Sequence, residues 1–169
     1  ECTDDPMFKK LFEAQLALDP SADAYLYGGT LKQKDGDTSG AMADFNKAVE
    51  LEEDNYRKSN ILYKIATIAR KRSSSQARTY LNKAIQAYSA NGRAYLLLAS
   101  LYANSANSCG ESQFEKRSIY WLAAQTAAKA GRVDPSLRST ASKAVASYNA
   151  KAPSKTDIFN SGRAGQTIS

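Results

Sequence analysis

Cys2 and Cys109 are the two thiols of this chain, and none of its 169 residues is a histidine that could activate either one. A thiol nucleophile needs a nearby base, and a zinc site needs clustered ligands at short spacing. Two cysteines far apart in sequence supply neither. The pair permits one long-range disulfide in an oxidising compartment, and the count is equally compatible with two cytosolic thiols. No Gly-rich phosphate loop, GxSxG, HExxH or CxxC motif is present. A Ser–Lys dyad is allowed by composition, but Ser73, Ser74 and Ser75 stand just before a helical pattern, where serine oxygens cap free N–H groups. The sequence therefore predicts no enzyme: no catalytic residue, no metal, no cofactor and no small-molecule substrate.

The formal charge is +6, from 23 Lys and Arg against 17 Asp and Glu. Most cations alternate with acids along amphipathic segments, as on a solvated helix face. The tightest cluster, Arg70, Lys71 and Arg72, ends a predicted helix, where cations suit the negative end of the dipole. Nucleic-acid binding through a basic face is a lesser reading, because most of the ten tyrosines recur at core spacing instead of interleaving with the cations. No run of roughly 18 apolar residues predicts a direct transmembrane segment. The first residues are acidic where a secretion signal is basic and then apolar, so a signal would have been removed from a longer precursor.

The elements that must position any functional residue are paired helices. The segment GDTSGAMADFNKAVELEEDN spaces Ala41, Phe45 and Ala48 at +4 and +3, and SSSQARTYLNKAIQAYSANG repeats the spacing with Ala77, Leu81 and Ala84, 36 residues later. Self-similarity at that period implies stacked helical hairpins. The small residues let two antiparallel helices approach closely.

These repeats resemble the tetratricopeptide family, whose unit pairs a helix A bearing small residues with a helix B bearing an Ala–aromatic–Ala ladder. The match places Tyr25, Gly28 and Gly29 on a first helix A (22–34) and Ala41, Phe45 and Ala48 on helix B (38–52). Ile61, Ile65, Ala66 and Ile68 follow on a second helix A (55–71), with Ala77, Leu81 and Ala84 on helix B (74–88). A third unit opens with Tyr95, Leu98, Ala99 and Tyr102, and its ladder Ala123, Ala127 and Ala130 comes late, before Asp134-Pro135. The delay marks an insertion at 104–116 containing Cys109, Gly110 and Phe114, either a longer loop or a clasp that folds back.

The resemblance implies an all-α, right-handed solenoid in one domain, 1–151: a half-repeat helix at 6–20, repeats at 22–54, 55–90 and 91–134, and a capping helix at 135–151. The capping stripe is Leu137, Ala141, Ala144, Val145 and Tyr148, and an extended tail, 152–169, follows. The first helix, with Phe8, Leu11, Phe12 and Leu16 at helical spacing, reads as a helix B without its partner, either a natural cap or the remnant of a longer array.

Function follows from the resemblance as recognition by an inner groove lined by A helices. Carried over position by position, its residues are Leu26, Thr30, Gln33 and Lys34; then Asn60, Tyr63, Thr67, Arg70 and Lys71; then Arg93, Leu96, Ser100 and Asn104. Such a surface suits an extended peptide with acidic groups, although inward polar residues can also simply stay wet. The family's carboxylate clamp is not reproduced, since Tyr63 and Lys64 stand where an asparagine is required. The competing reading is a permanent structural subunit docked through its convex face or the candidate patch Phe8, Leu11 and Phe12.

Residues 40–169 are also similar to the C-terminal part of tetratricopeptide proteins of the Bacteroidota cell envelope. That similarity implies a protein partner in a larger envelope complex, and a periplasmic or outer-membrane-associated location after signal removal, with a cytoplasmic one left open. Those relatives continue into a Cys-Trp-Ile element that this sequence lacks, which leaves Cys109 either free or bonded to Cys2. Three stacked hairpins separate the two thiols widely, so we expect no Cys2–Cys109 bond and a partner cysteine elsewhere.

Overall fold

The Ser21 hydroxyl accepts a hydrogen bond from the Ala24 N–H at 3.2 Å and so opens the first complete hairpin. A short polar side chain does the same at each later hairpin helix: Asp37 for Gly40 at 2.8 Å, Asp54 for Arg57 at 2.7 Å, Ser73 for Gln76 at 3.3 Å and Asn91 for Ala94 at 3.1 Å. These caps satisfy N–H groups that a helix start leaves without partners. After α1 (Pro6–Leu18), they mark the helices α2 (Ala22–Lys34), α3 (Thr38–Leu51), α4 (Asn55–Ala69), α5 (Ser74–Ala87) and α6 (Gly92–Ser105). There follow α7 (Gln113–Val133), α8 (Arg138–Asn149) and α9 (Lys155–Asn160).

The computed structural model describes residues 6–162, and no strand occurs among them. The fold is all-α and of the tetratricopeptide kind, built from the hairpins α2–α3, α4–α5 and α6–α7, with α8 against α7. The chain divides into two compact units, Glu1–Tyr88 and Ser89–Ser169.

In the first unit, Ala41, Phe45 and Ala48 of α3 and Ala77, Leu81 and Ala84 of α5 are all 0% exposed. Phe45 lies in a cluster with Ile61, Ile65 and Ile68 of α4, flanked by Tyr25, Leu26, Met42, Val49 and Tyr80. Burying each of the larger side chains contributes about 1.5–3 kcal/mol. Gly29 sets the hairpin distance: a Cβ there would lie 2.7 Å from Phe45 Cδ1 and 3.1 Å from the Ala41 carbonyl.

Contacts between successive hairpins step by fewer residues than the ladder period. Asp23 meets Arg57 and Thr30 meets Lys64, each 34 residues on, whereas the ladder recurs after 36. The B helices meet at the same 34-residue step, Tyr80 Oη donating to Asn46 Oδ1 at 3.3 Å, so side chains that touch between hairpins are not ladder equivalents.

In the second unit the ladder Ala123, Ala127 and Ala130 of α7 is again 0% exposed. Gly92 is the close approach here, since a Cβ would stand 2.6 Å from Asp134 Cβ. Two expectations need correction. The insertion at 104–116 is largely helical: α6 runs to Ser105, a 3-10 turn spans Ala106–Ser108, and α7 starts at Gln113 and extends for 21 residues. A capping box explains the early start, with Ser112 Oγ accepting from Glu115 N at 3.2 Å and Glu115 Oε2 accepting from Ser112 N at 3.2 Å.

The tail is the second correction. Lys155–Asn160 is helical where an extended chain was expected, because Ser154 and Asp157 form another capping box. Arg117 of α7 holds this segment through its Nη1 to Asp157 Oδ2 at 3.0 Å, its Nε to the Lys151 carbonyl at 3.0 Å and its Nη2 to the Ala152 carbonyl at 2.8 Å. Within the capping stripe Ala141 is buried, and Pro135–Leu137 forms a 3-10 turn ahead of α8. Residues 163–169 lie outside the described residues.

Candidate protein-binding cleft

The two A helices of the first unit, α2 and α4, border a cleft of about 510 Å3. Asp23, Leu26, Tyr27 and Thr30 line it from α2, and Arg57, Asn60, Ile61 and Lys64 from α4. Residues three or four apart on one helix share a face, so each helix presents about two turns to the cleft.

Its two ends differ in charge balance. At one end Arg57 donates to Asp23, and its Nε donates to Glu52 Oε2 at 2.7 Å. Glu52 is itself buried and also accepts from Asp54 N at 3.1 Å. This cation is thus neutralised by two carboxylates and ties α2, the end of α3 and α4 together. At the other end Lys64 donates to Thr30 Oγ1 at 2.7 Å and lies 4.7 Å from the centroid of the Phe45 ring. Lys64 is half-buried, and that burial pulls its pKa below the ordinary lysine value. The ring face offsets part of the desolvation.

Of the groove residues expected from sequence, Leu26, Thr30 and Asn60 border this cleft. Lys34, Arg70 and Lys71 are exposed beyond its lining, and Tyr63 and Thr67 are half-buried, with Thr67 Oγ1 donating to the Lys64 carbonyl at 2.7 Å. Arg93, Leu96, Ser100 and Asn104 lie on α6 of the second unit, where Arg93 and Asn104 are exposed and Ser100 Oγ donates to the Leu97 carbonyl at 2.7 Å. Asp23, Tyr27, Arg57 and Lys64 were not anticipated. Their signal was present as complementary side chains 34 positions apart, Asp23 with Arg57 and Thr30 with Lys64.

The expected docking patch is divided. Leu11 is 67% exposed, but Phe12 is half-buried, its ring 5.2 Å from that of Tyr27 in an edge-on contact. Gly28 makes room for it, as a Cβ there would lie 3.1 Å from Phe12 Cε1. Phe12 therefore helps fasten α1 to α2. The side chain of Phe8 lies outside the described residues. So does Cys2, while Cys109 is half-buried without a disulfide to any described residue.

Among the described residues no helix is long and apolar enough to cross a membrane. No family model matches the sequence, and no curated protein matches it. Among solved structures the chain is similar to a crystal structure of MamA, 17% identical with a TM-score of 0.51, covering 85% of this chain and 86% of that one. A second crystal structure of MamA protein is 16% identical with a TM-score of 0.50, covering 96% and 87%. Likeness at that identity is likeness of fold, and it extends the helical-hairpin architecture over most of the present chain.

Proposed function

We propose that this chain is a protein–protein interaction module that acts without catalysis, as a subunit or adaptor of a bacterial cell-envelope complex. The observation that carries the reading is the α2–α4 cleft, about 510 Å3, with apolar side chains beside polar and charged ones. A concave site of that size with a few placed polar groups suits a short stretch of polypeptide. The envelope assignment rests on the resemblance of residues 40–169 to Bacteroidota tetratricopeptide proteins. It makes the protein periplasmic or outer-membrane-associated once a signal peptide has been removed. Fractionation of the source cells tests that location.

The cleft is tested by affinity purification from the native source with the parent chain and with Thr30→Arg. Position 30 is exposed, so the larger cation fills the cleft without entering the core. Loss of the bound protein with an unchanged circular dichroism spectrum supports the reading. One observation favours the structural-subunit alternative: Met7, Leu11 and Leu18 of α1 are 77%, 67% and 87% exposed at helical spacing. Retention by Thr30→Arg with loss by Leu11→Glu decides for that alternative.

A further inference from the structure

We infer that Lys64 selects an acidic side chain within the bound segment. The cleft takes partner polypeptide whose Asp or Glu meets the Lys64 ammonium, with a neighbouring apolar side chain against Leu26 and Tyr27. This rests on the cleft-binding reading above.

The charges lining the cleft are Asp23, Arg57 and Lys64. Asp23 and Arg57 pair with each other, and Arg57 also pairs with Glu52. Lys64 has a hydroxyl and an aromatic face as neighbours and, among the described residues, no carboxylate. An ammonium carries three donors, and Thr30 takes one of them. Thr30 Oγ1 in turn donates to the Leu26 carbonyl at 2.7 Å, so its lone pairs are turned to the lysine. The Lys64 cation is therefore held in place, partly desolvated and uncompensated. An incoming carboxylate there forms a charge-assisted hydrogen bond to a partly desolvated cation, stronger than a neutral one.

The same arrangement separates a carboxylate from a phosphate. One unneutralised cation balances one negative charge, and Asp23 and Glu52 bring negative charge to the far end, which opposes a dianion. It also favours a side chain within the segment over a chain terminus. Among the described residues no second uncompensated cation lines the cleft to clamp a terminal carboxylate, since Arg57 is already paired twice. The apolar surface of Leu26 and Tyr27 beside Lys64 adds the second half of the preference, an apolar residue adjacent to the acid.

The test uses the full chain and a phage-displayed library of random peptides fused through their C-termini, so that no terminal carboxylate is offered. Three variants accompany it. Lys64→Met keeps the apolar stem over Phe45 and removes the charge, Lys64→Arg keeps a cation, and Thr30→Arg blocks the cleft. Circular dichroism and thermal unfolding establish that each is folded. The parent is expected to enrich peptides with Asp or Glu at one fixed position beside an apolar residue. Resynthesised, such a peptide binds Lys64→Met about tenfold more weakly, binds Lys64→Arg comparably to the parent, and loses a similar factor on acid-to-amide replacement only when Lys64 is present. Enriched peptides with no acidic position, or equal binding by Lys64→Met, overturn the inference and leave cleft binding standing. Selection of the same peptides by Thr30→Arg, or of none by the parent, overturns both.

Discussion

The hydroxyl of Ser59, wholly buried on α4, donates to the Ala84 carbonyl on α5 at 2.7 Å. A polar link at the crossing of two helices, next to a ladder alanine, fixes how they sit along one another as well as how close they come. The Ala84 carbonyl also accepts from Tyr88 N at 3.0 Å, so it is not orphaned if the serine is lost. Ser59→Ala should therefore cost only about 0.5–1.5 kcal/mol in urea unfolding, without the full penalty of an unsatisfied buried group. A loss well above that range would mean that the hydroxyl satisfies more than this pairing.

Gly29→Ala sets two effects against each other. In a helix interior alanine is favoured over glycine by about 1 kcal/mol. Here, however, its Cβ would meet Phe45 Cε1 at 2.7 Å and the Ala41 backbone carbonyl at 3.1 Å, and overpacking of this kind costs about 1–3 kcal/mol. The carbonyl belongs to α3 and cannot swing aside, so the net result should be destabilising. Thermal unfolding of the variant checks the sign, and Ala48→Leu should lose stability for the same reason.

Asp157 should make the tail sensitive to acid. Its carboxylate accepts from the Ser154 N–H and from the Ser154 hydroxyl, each at 2.7 Å, and pairs with Arg117 at 3.0 Å. The Ser154 backbone bond leads in holding its pKa below the usual carboxylate range, followed by the hydroxyl and Arg117. A group whose folded pKa is depressed stabilises fully above its unfolded pKa and loses that contribution as pH falls through the folded one. The protection of α9 amides, taken relative to their intrinsic exchange rate, should therefore be highest at neutral pH and fall below about pH 4, near an unperturbed aspartate's pKa. Asp157→Asn should show low protection already at neutral pH and lose this acid dependence.

Arg57 offers a separate test of the cleft's frame. Arg57→Met removes the links to Asp23 and Glu52 but keeps an apolar stem. Leaving Glu52 buried without its cation should lower thermal stability and make the first unit's unfolding less sensitive to salt. A variant as stable as the parent at every salt concentration would show that the link is ornamental to folding.

The ladder was legible in the sequence because alanine at +4 and +3 spacing has one economical use, the crossing of paired helices. Each of those positions is fully buried. The caps were legible for a similar reason, since Asp, Asn and Ser ahead of apolar periodicity satisfy helix N–H groups locally. The two segments read least well, 104–116 and 152–169, both contain capping boxes, Ser112 with Glu115 and Ser154 with Asp157. Their polar composition suggested loop, whereas reciprocal hydrogen bonds turn the same residues into helix starts.

The cleft is different in kind. Local periodicity determined which residues form α2 and α4, because it depends on neighbours three or four positions away. It did not determine which of their faces meet, because that depends on how α3 and its two turns return the chain between them. Only the packed hairpins set Asp23 against Arg57 and Thr30 against Lys64. One of these cations is paired twice and the other keeps an uncompensated charge, so tertiary structure alone separated a structural brace from a cation without a carboxylate.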